Sequence, residues 1–202
     1  MQQGKGRLRI LPLCCLMLLS LSACKKEARE QSAMQEALDF RAALLQSAGC
    51  TYEAQLRAQV GQEVYDFTLH CQSKTEGGTN VEVAAPETIA GITAEVSPKD
   101  GTITYDGMSI AFGETADGTL SPIAVPEVLS SCWREEYIAA AGADGGRIRV
   151  TYEKGYDADR LTVDTWLDAE KHLPIYAEIC YNHTCVAQIT LTDFAFVSEQ
   201  KE

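Results

Sequence analysis

The chain has 202 residues, 17 basic and 29 acidic, a formal charge of −12 and 46% hydrophobic residues. That is the size of one domain with a short leader, and such an acidic surface repels nucleic acid and anionic lipid, so no nucleic-acid partner is expected. It leaves a cationic ligand or a basic protein patch as acceptable company.

Residues 1–23 read as a leader. Lys5, Arg7 and Arg9 precede an apolar run over residues 10–21 that only Pro12 and Ser20 interrupt. A basic start and a short apolar core are the layout of a secretory signal, and roughly 20 residues would be needed to span a bilayer as a helix. The run ends Leu21-Ser22-Ala23-Cys24, which resembles the lipobox of bacterial lipoproteins. The resemblance implies cleavage before Cys24 and acylation of its thiol. Two or three acyl chains, at roughly 0.8 kcal/mol per buried CH₂, hold a protein stably on a membrane. The expected location is therefore the extracytoplasmic face of the cell membrane, with the lipid as anchor. Losing the leader removes three basic residues and no acidic one, which takes the charge from −12 to −15. Residues 24–32, with Lys25 and Lys26 next to the anchor, are expected to be a lipidated tether, and residues 33–198 the domain.

From Ser32 the period is helical. Ala33, Ala37, Phe40, Leu44 and Ala48 recur at spacings of three and four, with Met34, Leu38 and Leu45 widening the stripe and Gly49 as the stop. The period then becomes two. A two-residue turn at Gly61-Gln62, glycine first as a type II′ turn prefers, pairs Ala58 with Tyr65, Leu56 with Phe67, Ala54 with Leu69 and Tyr52 with Cys71. Each apolar residue then faces an apolar one, so turn and register agree. Further strands are expected over 79–85, 92–96, 102–105 and 108–112, with turns at Gly77-Gly78, Pro98-Lys99-Asp100-Gly101 and Asp106-Gly107.

At Ser121 the alternation stops. Ser121-Pro122 and Val125-Pro126-Glu127 are helix-start chemistry. Val128, Leu129, Cys132, Trp133, Ile138 and Ala141 offer an apolar side up to Gly142, which predicts one or two inserted helices, with 142–146 as C-cap and linker. Strands over 147–152, 161–167, 173–181 and 184–196 complete the domain. The fold class is α+β: a strongly curved antiparallel half-barrel sheet, with an N-terminal helix and an inserted helical segment on its concave face.

Three stretches carry a resemblance to a known superfamily: residues 83–91 (VAAPETIAG), Thr104-Tyr105-Asp106-Gly107, and residues 167–178 (LDAEKHLPIYAE). The chain is similar there to the lipoprotein-carrier fold of LolA and LolB type. With the lipobox, Ser121-Pro122 and the Trp133 segment, it most resembles clostridial spore germination lipoproteins of GerS type. That resemblance implies a non-enzymatic, membrane-anchored protein that docks a partner at the cell or spore envelope, a cell-wall (cortex) amidase during sporulation and germination. The alternative within the superfamily is a lipid or lipoprotein carrier or sensor that takes acyl chains into the concave groove.

The residues that could carry chemistry are few. Cys180 and Cys185 flank a two-residue turn at Asn182-His183 and face each other directly, a spacing compatible with a disulfide. Cys50 and Cys71 are offset diagonally by one pair, so a bridge there needs adjustment. Reduced packing residues are the other reading of all of them, and Cys132 is left over. Cys180, His183 and Cys185 are zinc-type donors, but they share one tight hairpin with no second cluster, so no metal site is expected, nor a cofactor. No G-x-S-x-G, H-E-x-x-H or phosphate-loop pattern occurs. Glu135-Glu136 and Asp157/Asp159 read as solvated surface, and no catalytic residue is assigned. Trp133 and Tyr137 are expected either as anchors for a protein partner or as pins of the inserted helix to the sheet.

Overall fold

The computed structural model describes residues 29–97, 101–105, 108–112, 115–116, 119–155, 160–181 and 184–198. The leader, Cys24, the turns expected at 98–100 and Asp106-Gly107, residues 156–159 and Asn182-His183 lie outside the described residues.

A helix, α1, covers residues 29–45, so residues 29–32 of the expected tether are helical. Ala33, Ala37, Phe40 and Leu44 are buried on one stripe. Leu38 and Leu45 are exposed, and the stripe is narrower than their positions suggested.

Among the described residues thirteen strands follow: β1 (Gly49–Val60), β2 (Glu63–Lys74), β3 (Thr79–Ala85), β4 (Thr93–Val96), β5 (Gly101–Tyr105), β6 (Met108–Phe112), β7 (Thr115–Ala116), β8 (Thr119–Leu120), β9 (Tyr137–Asp144), β10 (Arg147–Lys154), β11 (Leu161–Asp168), β12 (Pro174–Tyr181) and β13 (Thr184–Val197). Eleven of them make one open antiparallel sheet in the order β6-β5-β4-β3-β2-β1-β13-β12-β11-β10-β9, and β7 pairs only with β8. Two meanders are thus joined along a seam between the first and last strands, which pairs Gly49 with Val197 and Ala58 with Ala187.

The first hairpin has the expected register: Ala58 opposite Tyr65, Leu56 opposite Phe67, Ala54 opposite Leu69 and Tyr52 opposite Cys71. Gly61 takes a positive φ of 64° at the turn. Gly49 starts β1 at φ 148°, where a Cβ would run into the Ser73 carbonyl oxygen, so only glycine lets the helix-to-strand corner close on β2.

The inserted segment differs from expectation. A single α-helix, α2 (Val125–Arg134), follows a 3-10 turn at Pro122–Ala124, and the chain then enters β9. Ile138, Ala141 and Gly142 are strand residues, and Gly145-Gly146, both at positive φ, close the β9–β10 hairpin rather than capping a helix. An alanine-rich run has no strand propensity of its own. It pairs because β10, with Ile148, Val150 and Tyr152 buried, needs a neighbour along its full length.

Candidate functional site

The concave face is the first place to look, because acyl chains can enter it only if it is empty. All ten residues of α2 are buried, Glu127 and Arg134 included. The helix packs on β2, β3 and β10. Around it, Phe40, Tyr52, Trp133 and Phe194 form one aromatic cluster: Tyr52 stacks on Phe194 at 6.1 Å, and Trp133 meets Tyr52 edge-on at 5.7 Å and Phe40 at 6.0 Å. Such pairs add about 0.5–1.5 kcal/mol each beyond simple burial. Trp133 Nε1 donates to Thr165 Oγ1 at 3.1 Å. Trp133 is therefore a pin between helix and sheet, and its burial removes it as a partner contact.

Arg41 of α1 locks the same C-terminal end of the helix. Its Nε donates to the Trp133 carbonyl at 2.8 Å, and its Nη2 to those of Cys132 at 2.9 Å and Glu136 at 2.7 Å. The Cys132 and Trp133 carbonyls lie in the last turn of α2 and that of Glu136 just past it, and a guanidinium suits both their geometry and the negative end of the helix.

A polar network sits under α2. Glu127 Oε1 accepts from Arg134 Nη2 at 2.8 Å, and its Oε2 from Thr79 Oγ1 at 2.6 Å and Ser130 Oγ at 3.2 Å. Thr79 also exchanges a hydrogen bond with Ser73 at 2.8 Å. Buried charges are tolerated only when paired and hydrogen-bonded like this. Among the described residues, Arg134 Nη1 and Tyr152 Oη are buried without a partner. The hydroxyl of Tyr152 titrates well above the usual tyrosine range because burial disfavours its anion.

Cover runs out at one end of the sheet. Ile103 packs on the core and lies opposite Ile110, while Tyr105 lies opposite Met108, so these four share the concave side. Tyr105 is 49%, Met108 67% and Ile110 68% exposed. Tyr137, at the start of the opposite edge strand, is 70% exposed. The β5–β6 patch was missed in the sequence because its apolar residues look like ordinary strand core. Only the reach of α2 decides which part of the face stays open.

The outer face carries two grooves. One, of about 790 Å³, crosses β1–β5, and its lining includes Glu53, His70, Asn80, Glu82, Glu95 and Asp193. The other, of about 500 Å³, includes Arg57, Asp66, Phe67, Pro86, Tyr176 and Gln188. Both are lined by a mixture of polar and apolar groups.

Among the described residues, Cys50, Cys71, Cys180 and Cys185 fall into two pairs with no disulfide in either, and Cys132 is buried in α2. Cys50 and Cys71 are buried on adjacent strands, and burial pushes the Cys50 thiol up to about 12 and raises that of Cys71 further. Cys180 stands opposite Cys185 as expected, half-buried on the outer face. Glu135 is exposed, and Glu136 accepts from Lys154 Nζ at 3.4 Å. No helix among the described residues is long and apolar enough to cross a membrane.

The arrangement defines a class: an open, curved antiparallel half-barrel with its concave face filled by helix. No protein-family model matches the chain, and no curated protein matches it. Solved structures with a similar arrangement include a DUF1329 family protein from Desulfovibrio piger, at 11% identity and TM-score 0.48 over 86% of this chain and 95% of that one. A putative outer membrane lipoprotein-sorting protein domain from Vibrio parahaemolyticus is similar at 12% identity and TM-score 0.47, over 86% and 95%. A chain in the structure of the CwlD amidase from Clostridioides difficile in complex with the GerS lipoprotein is similar at 10% identity and TM-score 0.43, over 97% and 99%.

Proposed function

We propose that the protein is a lipid-anchored, non-catalytic docking protein of the bacterial envelope, tied to the outer side of the cell membrane through Cys24. Its partner on this reading is a cell-wall hydrolase, of the cortex amidase class, at work during sporulation or germination. The observation that carries the docking half is the filled concave face. Trp133, Tyr52, Phe40 and Leu129 occupy the space that an acyl-chain carrier keeps open. The exposed apolar side chains Tyr105, Met108 and Ile110 sit instead at an open end of the sheet, where a protein surface can cover them. The anchor and the amidase class rest on the lipobox and on the resemblance of Ser121-Pro122 and the Trp133 segment to spore germination lipoproteins.

The test is co-purification of the tagged protein from its host envelope, with lipid extraction of the same sample. A cell-wall amidase is expected in the eluate, reduced at least tenfold by the double substitution Met108→Glu/Ile110→Glu. Acyl lipid recovered in stoichiometric amount with no hydrolase would refute docking in favour of lipid carriage. Cys24→Ser is expected to leave the protein uncut at residue 23, without acyl chains, and no longer held at the membrane by them.

A further inference from the structure

On the outer face, strand β12 presents Glu178 and Cys180, and β13 presents Cys185. A donor atom from each of the three lies within 4.8 Å of the other two. Alternation along β13 would not produce this. Ala187, Ile189 and Leu191 point into the core, and Cys185, two residues before Ala187, would follow them inward. A register shift between Ile179 and Cys180 leaves Val186 unpaired and turns Cys185 outward, opposite Cys180. Bulges of this kind re-aim a side chain at a local cost in strand pairing and are frequent beside functional sites.

The carboxylate is held in place. Tyr176 Oη donates to Glu178 Oε1 at 2.6 Å, and Gln188 Nε2 donates to the same oxygen at 3.2 Å. The charged groups facing the cluster from neighbouring strands are Asp164 of β11 and Arg149 of β10, and these two neutralise each other at 2.6 Å. What remains is a carboxylate and two thiols packed side by side.

We propose that Glu178, Cys180 and Cys185 form a binding site for one thiophilic divalent cation of the zinc class. Zinc sits about 2.3 Å from sulfur and about 2.0–2.2 Å from carboxylate oxygen, so tetrahedral donors lie roughly 3.6–3.8 Å apart, inside the span of this cluster. Binding forms two S–metal bonds and one O–metal bond, with solvent in the fourth position, since the site is half exposed. Each thiol gives its proton to solvent, and nothing is oxidised or reduced. The hydrogen bonds from Tyr176 and Gln188 fix Glu178 as outer-shell partners do in metal sites. The site lies on the opposite face from the docking patch and is independent of it.

The experiment uses the full-length protein in detergent, reduced and stripped of metal, titrated with Zn²⁺ against a chromophoric chelator. One ion per chain at submicromolar affinity is expected, with two protons released, and Co²⁺ should give thiolate charge-transfer absorption. Cys180→Ser and Cys185→Ser should each weaken binding at least a hundredfold. Glu178→Gln, which leaves both thiols in place, should weaken it about tenfold and so separates ligation from any folding defect. Zinc binding below one ion per ten chains would overturn the site. So would unchanged affinity in the Cys180→Ser/Cys185→Ser protein, or a Cys180–Cys185 disulfide trapped in protein isolated from the envelope.

Discussion

Replacing Arg134 with methionine removes the one cation paired with Glu127 while keeping most of the side-chain volume. The carboxylate stays fully buried in the first turn of α2, held only by the hydroxyls of Thr79 and Ser130. At 2.8 Å between heavy atoms the charges are roughly 4 Å apart, and an effective dielectric of about 20 gives an attraction near 4 kcal/mol. Breaking a buried pair from one side typically costs about 3–5 kcal/mol. For a domain of this size that lowers Tm by roughly 10 °C. The companion variant, Glu127→Leu/Arg134→Met, removes both charges. Thr79 and Ser130 then still have each other and Ser73 as partners, and Arg134 Nη1, already unpartnered, disappears. The double variant should fall within about 1.5 kcal/mol of the parent, because well-packed apolar replacements of buried ion pairs are often neutral. Equilibrium unfolding in urea with a constant m-value measures all three proteins. A cost below about 1 kcal/mol for Arg134→Met, or a double variant no more stable than the single, would refute the claim that charge pairing holds α2 down.

Arg41→Met strips three carbonyls at the end of α2 of their donor and should cost about 2–4 kcal/mol in the same assay. Trp133→Phe leaves buried Thr165 without its indole partner and a gap beside Tyr52, about 1–3 kcal/mol. Gly49→Ala drives a Cβ into the Ser73 carbonyl at positive φ and should prevent soluble expression or cost about 3 kcal/mol or more. Asp168 accepts from the backbone N–H groups of Lys171 and Glu170, which hold its carboxyl below the ordinary 3.8. Its folded value being depressed, the contribution is complete above the ordinary value and is lost as pH falls through the folded one. Asp168→Asn should therefore flatten the acid limb of a stability–pH curve below pH 4, and carbon-detected NMR titration of Asp168 checks the direction.

The first hairpin was legible because two signals coincide: a glycine-led turn and an alternation that matches apolar to apolar across it. β9 was not, because Ala139, Ala140, Ala141 and Gly142 carry neither a strand period nor a helical one. Its partner strand decides its state. Glu127 read as a first-turn acid, which helices favour, and only the spacing of seven to Arg134, two turns along one face, hinted that both could point inward together. Trp133 was visible as important but not as buried, since a large ring fits an interface or a core equally well. The three-donor cluster at Glu178 was legible in part: the expected two-residue turn already set Cys180 opposite Cys185, but the face the pair takes depends on a one-residue register shift, and no local pattern announces where that shift falls.

Because the outermost strands in sequence are the innermost in space, with β1 lying against β13, neither meander can complete its central strand alone. A nascent chain must therefore deliver its last segment before the two halves can zip together. Until then the faces that will enclose Trp133 stand open to chaperones and proteases. Loop closure over that length makes the step slow compared with hairpin formation. Chains cut short before β13 should be degraded, so the protein that accumulates is the one made whole.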